Sequence, residues 1–362
     1  MSNYYSFSAI RGVQAGHPYF TVMIPLGQVP RIFSFDDATL PPDLRAQRVL
    51  SKARVPQIAE YLSSNWDDYI LSSLCASVDG DLEFKPASDE MSLRNVGILT
   101  VPMNARILLN DGQHRRAAIE EALKTRPELE NESISVVMFA DRGLSRSQQM
   151  FADLNKNAVR PSGSLNVLFD HRNPLSQLSN QLLSEVEFFQ RFTDLERSSI
   201  PNRATALYTL SSLKRANEWL AGKDADRFGD KTKELVIAYW RAVYDVMPDW
   251  HRLDAGTVKS SDLRQNTVLA HGVLLQSLGV LGGRLLSEQK KTWRTYVAKL
   301  NSVDWSRRNA SLWEGRVMNG ARMNGQKRAV FLGTNVLCNA VGLKFDERGR
   351  HAEESLEDME TA

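Results

Sequence analysis

The sequence predicts an α+β protein in which a mixed-sheet domain is followed by a mostly helical domain. Short apolar segments rich in β-forming residues recur up to about residue 140, and apolar residues at helical spacing dominate from residue 144 onwards. The 362 residues, of which 42% are hydrophobic, suffice for two or three packed domains. We expect a sheet domain over residues 1–160, a helical domain over 161–344 and a solvated, flexible acidic tail over 345–362.

The sheet is predicted from short segments of the first 140 residues. Strands are expected at 19–24, 31–35, 69–78, 82–84, 96–101, 105–109 and 134–139, and a helix at 44–62. The turn residues Asp79-Gly80-Asp81 suggest that the third and fourth of these strands form a hairpin. A helix beginning at Arg115 lies between the last two strands and indicates a β–α–β unit.

The second half of the chain is predicted to be helical. Apolar spacing predicts helices at 174–192, 203–222, 229–247 and 264–286. The most apolar window, 268–286, contains His271 and Arg284 as well as four glycines. A bilayer span needs about 20 mostly apolar residues. We therefore expect a buried core helix here and no membrane partner.

Composition restricts the function classes only in part. The formal net charge is +2, but residues 345–362 hold seven acidic and two basic residues, which leaves the remaining body at +7. The two cysteines, Cys75 and Cys338, form no CxxC pair, so a disulfide framework is excluded and no zinc or other metal site is expected. This usage fits a reducing cytoplasm, and the N-terminal residues do not look like a signal peptide.

The most informative run extends from Asp111 to Ile119. It follows a short apolar strand and opens a helix, so Asp111 is predicted to lie at the helix N-cap and Gly112 to permit close approach of a ligand. The free N–H groups and positive dipole of a helix start suit a phosphate. Arg115 starts on the apolar stripe of its helix. We expect its side chain to be held by packing or by a carboxylate, or to reach a phosphate.

These residues resemble those of a known family. The run Asp111-Gly112-Gln113-His114-Arg115 is similar to the DGQHR signature of the bacterial family that includes DndB of the DNA phosphorothioate (DNA sulfur) modification systems, in which sulfur replaces a backbone phosphate oxygen. Residues 112–118 also resemble a stretch of the ParB/sulfiredoxin-like fold, and residues 151–158 resemble the second conserved stretch of the family. The resemblance implies a ParB/sulfiredoxin-like first domain and a regulator that binds DNA at the promoter of the modification genes.

The resemblance and the helix start together give a candidate phosphate or nucleotide site. Its predicted ligands are Gly112, Gln113, Arg115, Arg116, Asn155 and Lys156. In a nucleotide-hydrolysing enzyme, Asp111 and His114 would position or activate water and Arg115 would neutralise developing charge. The cofactor would then be a nucleoside triphosphate with Mg²⁺, bound without a P-loop because no GxxxxGK[ST] motif is present.

A DNA-binding surface is predicted in the segment 304–329, hereafter the basic stretch. This segment contains six arginine and lysine residues and two acidic residues, Asp304 and Glu314, so its net charge is +4. Asparagine and tryptophan residues lie between the basic ones. Such residues neutralise DNA phosphates or read base edges, although a solvated basic loop is the alternative. The predicted DNA ligands are Arg307, Arg308, Arg316, Arg322, Lys327 and Arg328, with a second cluster at Arg142, Arg146 and Arg160.

Three functions follow as hypotheses. The leading one is a DNA-binding regulator, or repressor, that controls transcription of the modification genes. The alternative is an ATPase-type or DNA-nicking enzyme of the ParB-like fold in the same system, and the third is an adaptor that binds the modification proteins without touching DNA. The expected partners are double-stranded promoter DNA and other DNA sulfur-modification proteins, and the sequence leaves a homo-oligomer open.

Overall fold

The structure of the chain is a computed structural model that describes residues 4–33, 54–140, 150, 161–222, 229–289, 291–320 and 322–361. The chain divides into two compact units, Met1–Val159 and Arg160–Ala362. Each unit has a hydrophobic core of its own. The first unit contains a sheet and the second is mostly helical, so the predicted α+β class is confirmed.

Seven strands form one mixed sheet in the described part of the first unit. They are β1 (Tyr4–Gln14), β2 (His17–Pro25), β3 (Leu74–Asp79), β4 (Glu83–Pro86), β5 (Val96–Pro102), β6 (Arg106–Asp111) and β7 (Ser133–Ala140). Their order is β4-β5-β1-β2-β7-β3-β6. Strands β3 and β7 pair in parallel, and the other neighbours pair in antiparallel orientation.

Residue patterning explains the two kinds of strand. In β2, Phe20, Val22 and Ile24 are buried at alternate positions, as expected for a strand with one face on the core. In β3, by contrast, every residue except the last is buried, so both faces of this strand are covered. The helices of this unit in the described residues are α1 (Val29–Ile32), α2 (Arg54–Ser64) and α3 (Gln113–Thr125), with 3-10 turns at Leu26–Gln28 and Pro127–Asn131.

Three local predictions for this unit are wrong. The predicted strand at 31–35 is a helix as far as Ile32, because Pro30 occupies the first helical turn; residues 34 and 35 lie outside the described residues. The predicted hairpin at Asp79-Gly80-Asp81 is absent, since β4 pairs with β5 and β3 pairs with β6 and β7. The predicted β–α–β unit around α3 is not formed either, because β3 is antiparallel to β6 and parallel to β7, so the two strands that flank α3 run antiparallel.

The described part of the second unit consists mainly of helices. They are α4 (Gly163–Phe169), α5 (Pro174–Glu185), α6 (Glu187–Phe192), α7 (Leu210–Ala221), α8 (Asp230–Asp245), α9 (Pro248–Asp254), α10 (Ser260–Asn266), α11 (Gly272–Glu288), α12 (Trp293–Ala298), α13 (Ala310–Trp313), α14 (Lys327–Val341) and α15 (Glu347–Thr361). A 3-10 turn lies at Lys299–Ser302. Two small ribbons complete the unit: β8 (Thr193–Asp194) with β9 (Tyr208–Thr209), and β10 (Met318–Asn319) with β11 (Arg322–Met323).

Helix α11 lies in the core of this unit, as the apolar window predicts. It packs against α7 at very short range, because a Cβ atom added at Gly279 would lie 2.3 Å from the backbone oxygen of Ala216. A Cβ atom at Gly283 would lie 2.5 Å from the backbone oxygen of Trp219. Since the contact positions rise together along both helices, α7 and α11 run parallel. Among the described residues no helix is both long and apolar enough to cross a membrane.

The C-terminal end differs from its prediction. The sequence predicts a solvated, flexible tail over residues 345–362, but the structure describes helix α15 there, with Ala352 and Leu356 buried. The helix packs on α14 through these two apolar side chains, which stand at i and i+4 on one face. Of the acidic residues whose side chains are described on this helix, Glu347 and Glu354 are exposed, and Glu353 is partly buried and pairs with Arg316.

Candidate functional site

The DGQHR residues form the junction between β6 and α3. Strand β6 ends at Asp111, Gly112 is the N-cap with a φ angle of 105°, and α3 begins at Gln113. That φ value lies in the left-handed region, which favours glycine. A Cβ atom at Gly112 would also lie 2.4 Å from Cδ2 of Leu74. Glycine is thus required at this junction by both the backbone and the packing, and Asp111 lies one residue before the N-cap that it was predicted to occupy.

Arg115 turns back toward the start of its own helix. Its guanidinium forms an ion pair with Asp111 at 2.5 Å, and it also donates to the hydroxyl of Ser72. The Arg115 side chain is 18% exposed and the Asp111 side chain 50% exposed. The Asp111 carboxylate therefore offsets the charge of Arg115 and stands close to the positive end of the α3 dipole.

One hydrogen-bond donor of the Arg115 guanidinium has no partner among the described residues. Its Nε atom is buried and has no hydrogen-bond acceptor among the described residues. Sequence reasoning missed Ser72 as a partner of Arg115, because it lies 43 positions earlier in a segment without regular structure and belongs to no motif.

The side chains of Gln113 and Arg116 form hydrogen bonds to the backbone of the same unit. The amide of Gln113 donates to the backbone oxygen of Leu109 at 2.9 Å. The Arg116 guanidinium donates to the backbone oxygens of Phe33 at 2.9 Å and Pro30 at 3.0 Å, and it pairs with Glu120. Both side chains are buried. Their assignment to phosphate binding does not fit this geometry, because their donors already tie α3 to β6 and to the region around α1.

His114 is half-buried at the start of α3. Burial lowers the pKa of His114, and the charge of Arg54 lowers it further, whereas Asp111 opposes the shift. The imidazole is therefore mainly neutral at pH 7 and is chemically able to accept a proton. Catalysis by Asp111, His114 and Arg115, and nucleotide hydrolysis with it, stays a prediction.

The second family stretch cannot be placed beside this junction. Residues 151–158, with Asn155 and Lys156, lie outside the described residues, and so do Arg142, Arg146 and Arg160. The predicted grouping of these residues around one anionic site therefore stays a prediction.

In the second unit, the basic stretch contains a short β-ribbon in which Met318 is buried and one residue pair is exposed. Strands β10 and β11 pair in antiparallel register, with Asn319 opposite Arg322, and both residues are exposed. The backbone N–H of Gly320, next to this pair, donates to the side chain of Glu314 at 2.5 Å. The ribbon thus presents one amide and one guanidinium to the solvent.

Three of the six predicted DNA ligands are exposed. Arg308 and Arg322 form no ion pair with any described residue, and the ammonium of Lys327 lies 5.5 Å from the ring centroid of Trp219. The interleaved Trp305 and Trp313 are not available for base stacking. They are buried, and their rings stack on each other with centroids 6.0 Å apart.

The other three basic residues contact their own chain. Arg316 forms an ion pair with Glu353 of α15, and Arg328 donates to the backbone oxygen of Ser355 at 3.4 Å. Arg307 donates to the backbone oxygen of Arg264 at 3.2 Å. The exposed basic side chains among the described residues of this stretch are therefore Arg308, Arg322 and Lys327, and Arg322 is the one that lies on the β10–β11 ribbon.

Both the DGQHR junction and the basic stretch fall within a match to a known family. The chain matches the DndB family, described as DNA-sulfur modification-associated, over residues 7–344. The chain belongs to the DndB family. Membership links it to DNA sulfur modification systems, as its DGQHR signature predicts. Searches among curated proteins and among solved structures found no match. The ParB/sulfiredoxin-like fold stays a prediction.

The C-terminal helix of this DndB-family chain lies outside the residues that match the family. Helix α15 begins at Glu347 and thus lies beyond the matched residues. The contacts of Arg316 and Arg328 with α15 are consequently made to a segment outside the part of the chain that defines the family.

Proposed function

We propose that this DndB-family chain is a DNA-binding regulator that controls transcription of the genes of a DNA sulfur modification system. In this role it binds double-stranded DNA at the promoter of those genes. The DndB membership supports the choice of system, and the exposed basic residues of the second unit support the mode of action.

The observation that carries this proposal is the exposed Asn319–Arg322 pair of the β10–β11 ribbon, in which Arg322 forms no ion pair with any described residue. The major groove of B-DNA admits a two-stranded β-ribbon, and arginine and asparagine are the side chains that read guanine and adenine edges there. Arg322 and Asn319 stand opposite each other on such a ribbon. Arg308 and Lys327 belong to the same basic stretch and supply further charge for backbone phosphates.

The proposed interface is smaller than the basic stretch as a whole. Arg316 and Arg328 are directed to α15, so we exclude them from the DNA contacts in this conformation. Three exposed basic residues remain, Arg308, Arg322 and Lys327, and together they define the proposed DNA interface.

Promoter selectivity tests the function directly. We expect the full chain to bind a fluorescent duplex from the promoter of its own modification genes more tightly than a scrambled duplex, by about tenfold or more at physiological salt. Fluorescence anisotropy titrations of both duplexes measure the ratio. Equal affinity for the two sequences would contradict a regulatory role while leaving general DNA binding intact.

A charge-removal variant tests the interface. Replacing Arg308, Arg322 and Lys327 with glutamine, the basic triple variant, should weaken promoter binding by about 100-fold, because each lost contact costs on the order of 1 kcal/mol. The same anisotropy titration measures this loss.

The matched control removes the same charge elsewhere on the second unit. It carries the substitutions Lys231→Gln, Lys291→Gln and Arg294→Gln, at exposed residues outside the basic stretch. We expect this control triple variant to lose much less affinity than the basic triple variant. Equal losses for both variants would show that total charge, and not this interface, holds the DNA.

A further inference from the structure

A cavity of about 450 Å³ lies in the second unit where polar side chains converge. Its lining includes Arg215, Arg264, His271 and Gln276, together with the hydroxyl groups of several serine and threonine residues. None of the described residues that line it is an aspartate or a glutamate. This α7/α11 cavity is therefore rich in hydrogen-bond donors and has no carboxylate in its described wall to offset its positive charge.

Helices α7 and α11 both begin at this cavity. Their N-cap residues, Thr209 and His271, belong to its lining. Because the two helices are parallel, the positive ends of both dipoles lie on the same side. No side chain caps α11. The first backbone hydrogen bonds of this helix run from the N–H groups of Leu274 and Leu275 to the backbone oxygen of His271. The N–H groups of Gly272 and Val273 therefore have no acceptor within the helix.

A second observation, independent of the helices, concerns Arg264. The residue is 6% exposed, and its Nη atoms donate to the backbone oxygens of Asn202, Ala204 and Ala206. Its Nε atom is buried without an acceptor, and no described carboxylate forms an ion pair with it. A buried guanidinium without a counter-ion is costly, and an anion bound in the adjacent cavity would offset that cost.

The remaining polar groups complete a donor-rich wall. Arg215 is exposed where it lines the cavity and forms no ion pair with the described residues. The ring Nε2 of His271 lies 3.0 Å from the backbone oxygen of Arg264, and this contact suits a neutral imidazole that donates a hydrogen bond. Residues 323–325 of the basic stretch form part of the same wall.

We propose that the α7/α11 cavity binds the phosphate group of an organic phosphate of about mononucleotide size. Guanidinium groups and helix N-termini are the protein groups that recognise phosphate oxygens best. The volume lies within the range of small-molecule pockets and exceeds what a single inorganic phosphate fills. The phosphate is supplied either by a free nucleotide or by DNA, and the site does not depend on the function of the β10–β11 ribbon.

Calorimetric titration of the full chain at fixed ionic strength tests this site. The probes are AMP, adenosine as the phosphate-free control, and a short DNA duplex. The diagnostic variant is Arg215→Gln, chosen because an exposed side chain is replaced without disturbing the core. The matched control is Lys231→Gln, which removes one positive charge from an exposed position outside the cavity.

A free-nucleotide site predicts that AMP binds, that adenosine does not, and that Arg215→Gln weakens AMP binding by about tenfold or more. A DNA-supplied phosphate predicts instead that AMP gives no heat, while Arg215→Gln weakens duplex binding by about tenfold and Lys231→Gln does not. The proposal is overturned if Arg215→Gln weakens the binding of AMP and of the duplex no more than Lys231→Gln does.

Discussion

Gly279→Ala is expected to destabilise the second unit by about 3 kcal/mol, near the upper end of what overpacking of a core costs. The new Cβ atom would lie 2.3 Å from the backbone oxygen of Ala216 and 3.0 Å from its Cα atom. Backbone atoms cannot move aside as the end of a flexible side chain can. The helices α7 and α11 would have to separate, and this would also disturb the cavity at their common end.

Tryptophan fluorescence during urea unfolding measures this effect, because six of the seven tryptophans lie in the second unit. The matched control is Gly325→Ala, since a Cβ atom at Gly325 meets no described atom within 4 Å and its φ angle lies outside the left-handed region. We expect the control to change the unfolding free energy by less than about 0.5 kcal/mol. If both variants unfolded at the same urea concentration, the close packing of α7 on α11 would be refuted.

Acidification is expected to destabilise the second unit through His271. Burial lowers the pKa of His271 to about 4, and the nearby charges of Arg307 and Arg264 add to the shift. In the unfolded chain the same imidazole has a pKa of about 6.5. Between these two values the unfolded chain binds the proton and the folded chain does not, so stability is present above about pH 6.5 and is lost as the pH falls toward about 4.

The size of this effect follows from the two pKa values. Lowering the pH from about 7 to about 5 should cost about 2 kcal/mol of unfolding free energy through His271 alone. Urea unfolding at both pH values, on the wild type and on His271→Asn, isolates the contribution, because the variant lacks the titrating group. The exposed His351 provides the control variant, His351→Gln. An identical pH dependence in the wild type and in His271→Asn would contradict the buried, neutral histidine.

Local patterning predicts the elements of the fold better than their pairing. Strands β2, β5, β6 and β7 and helix α8 lie where periodicity places them, because burial on one face leaves its period in the sequence. The neighbours of β3 are not predictable from the adjacent turn. Pairing in this sheet joins segments that are far apart in the chain, as in β1 with β5 and β3 with β7, and local residues carry no record of such contacts.

The same limit applies to the sites. The sequence shows that Asp111 to Arg115 connect a strand to a helix, and the structure adds that Asp111 pairs with Arg115. Whether an arginine reaches solvent or its own chain depends on tertiary contacts. Arg316 looks equivalent to Arg322 in the sequence, yet it pairs with Glu353, 37 residues further on. The α7/α11 cavity has no sequence motif, because segments far apart in the chain contribute to it.

The proposed DNA interface is tested most directly by the salt dependence of promoter binding. A plot of log affinity against log salt concentration should be less steep for the basic triple variant than for the wild type, by about 2 to 3 units of slope, since each phosphate contact contributes about 0.9. The control triple variant should keep the wild-type slope. If the basic triple variant gave a line parallel to that of the wild type, Arg308, Arg322 and Lys327 would not contact DNA phosphates, and the proposed interface would be wrong.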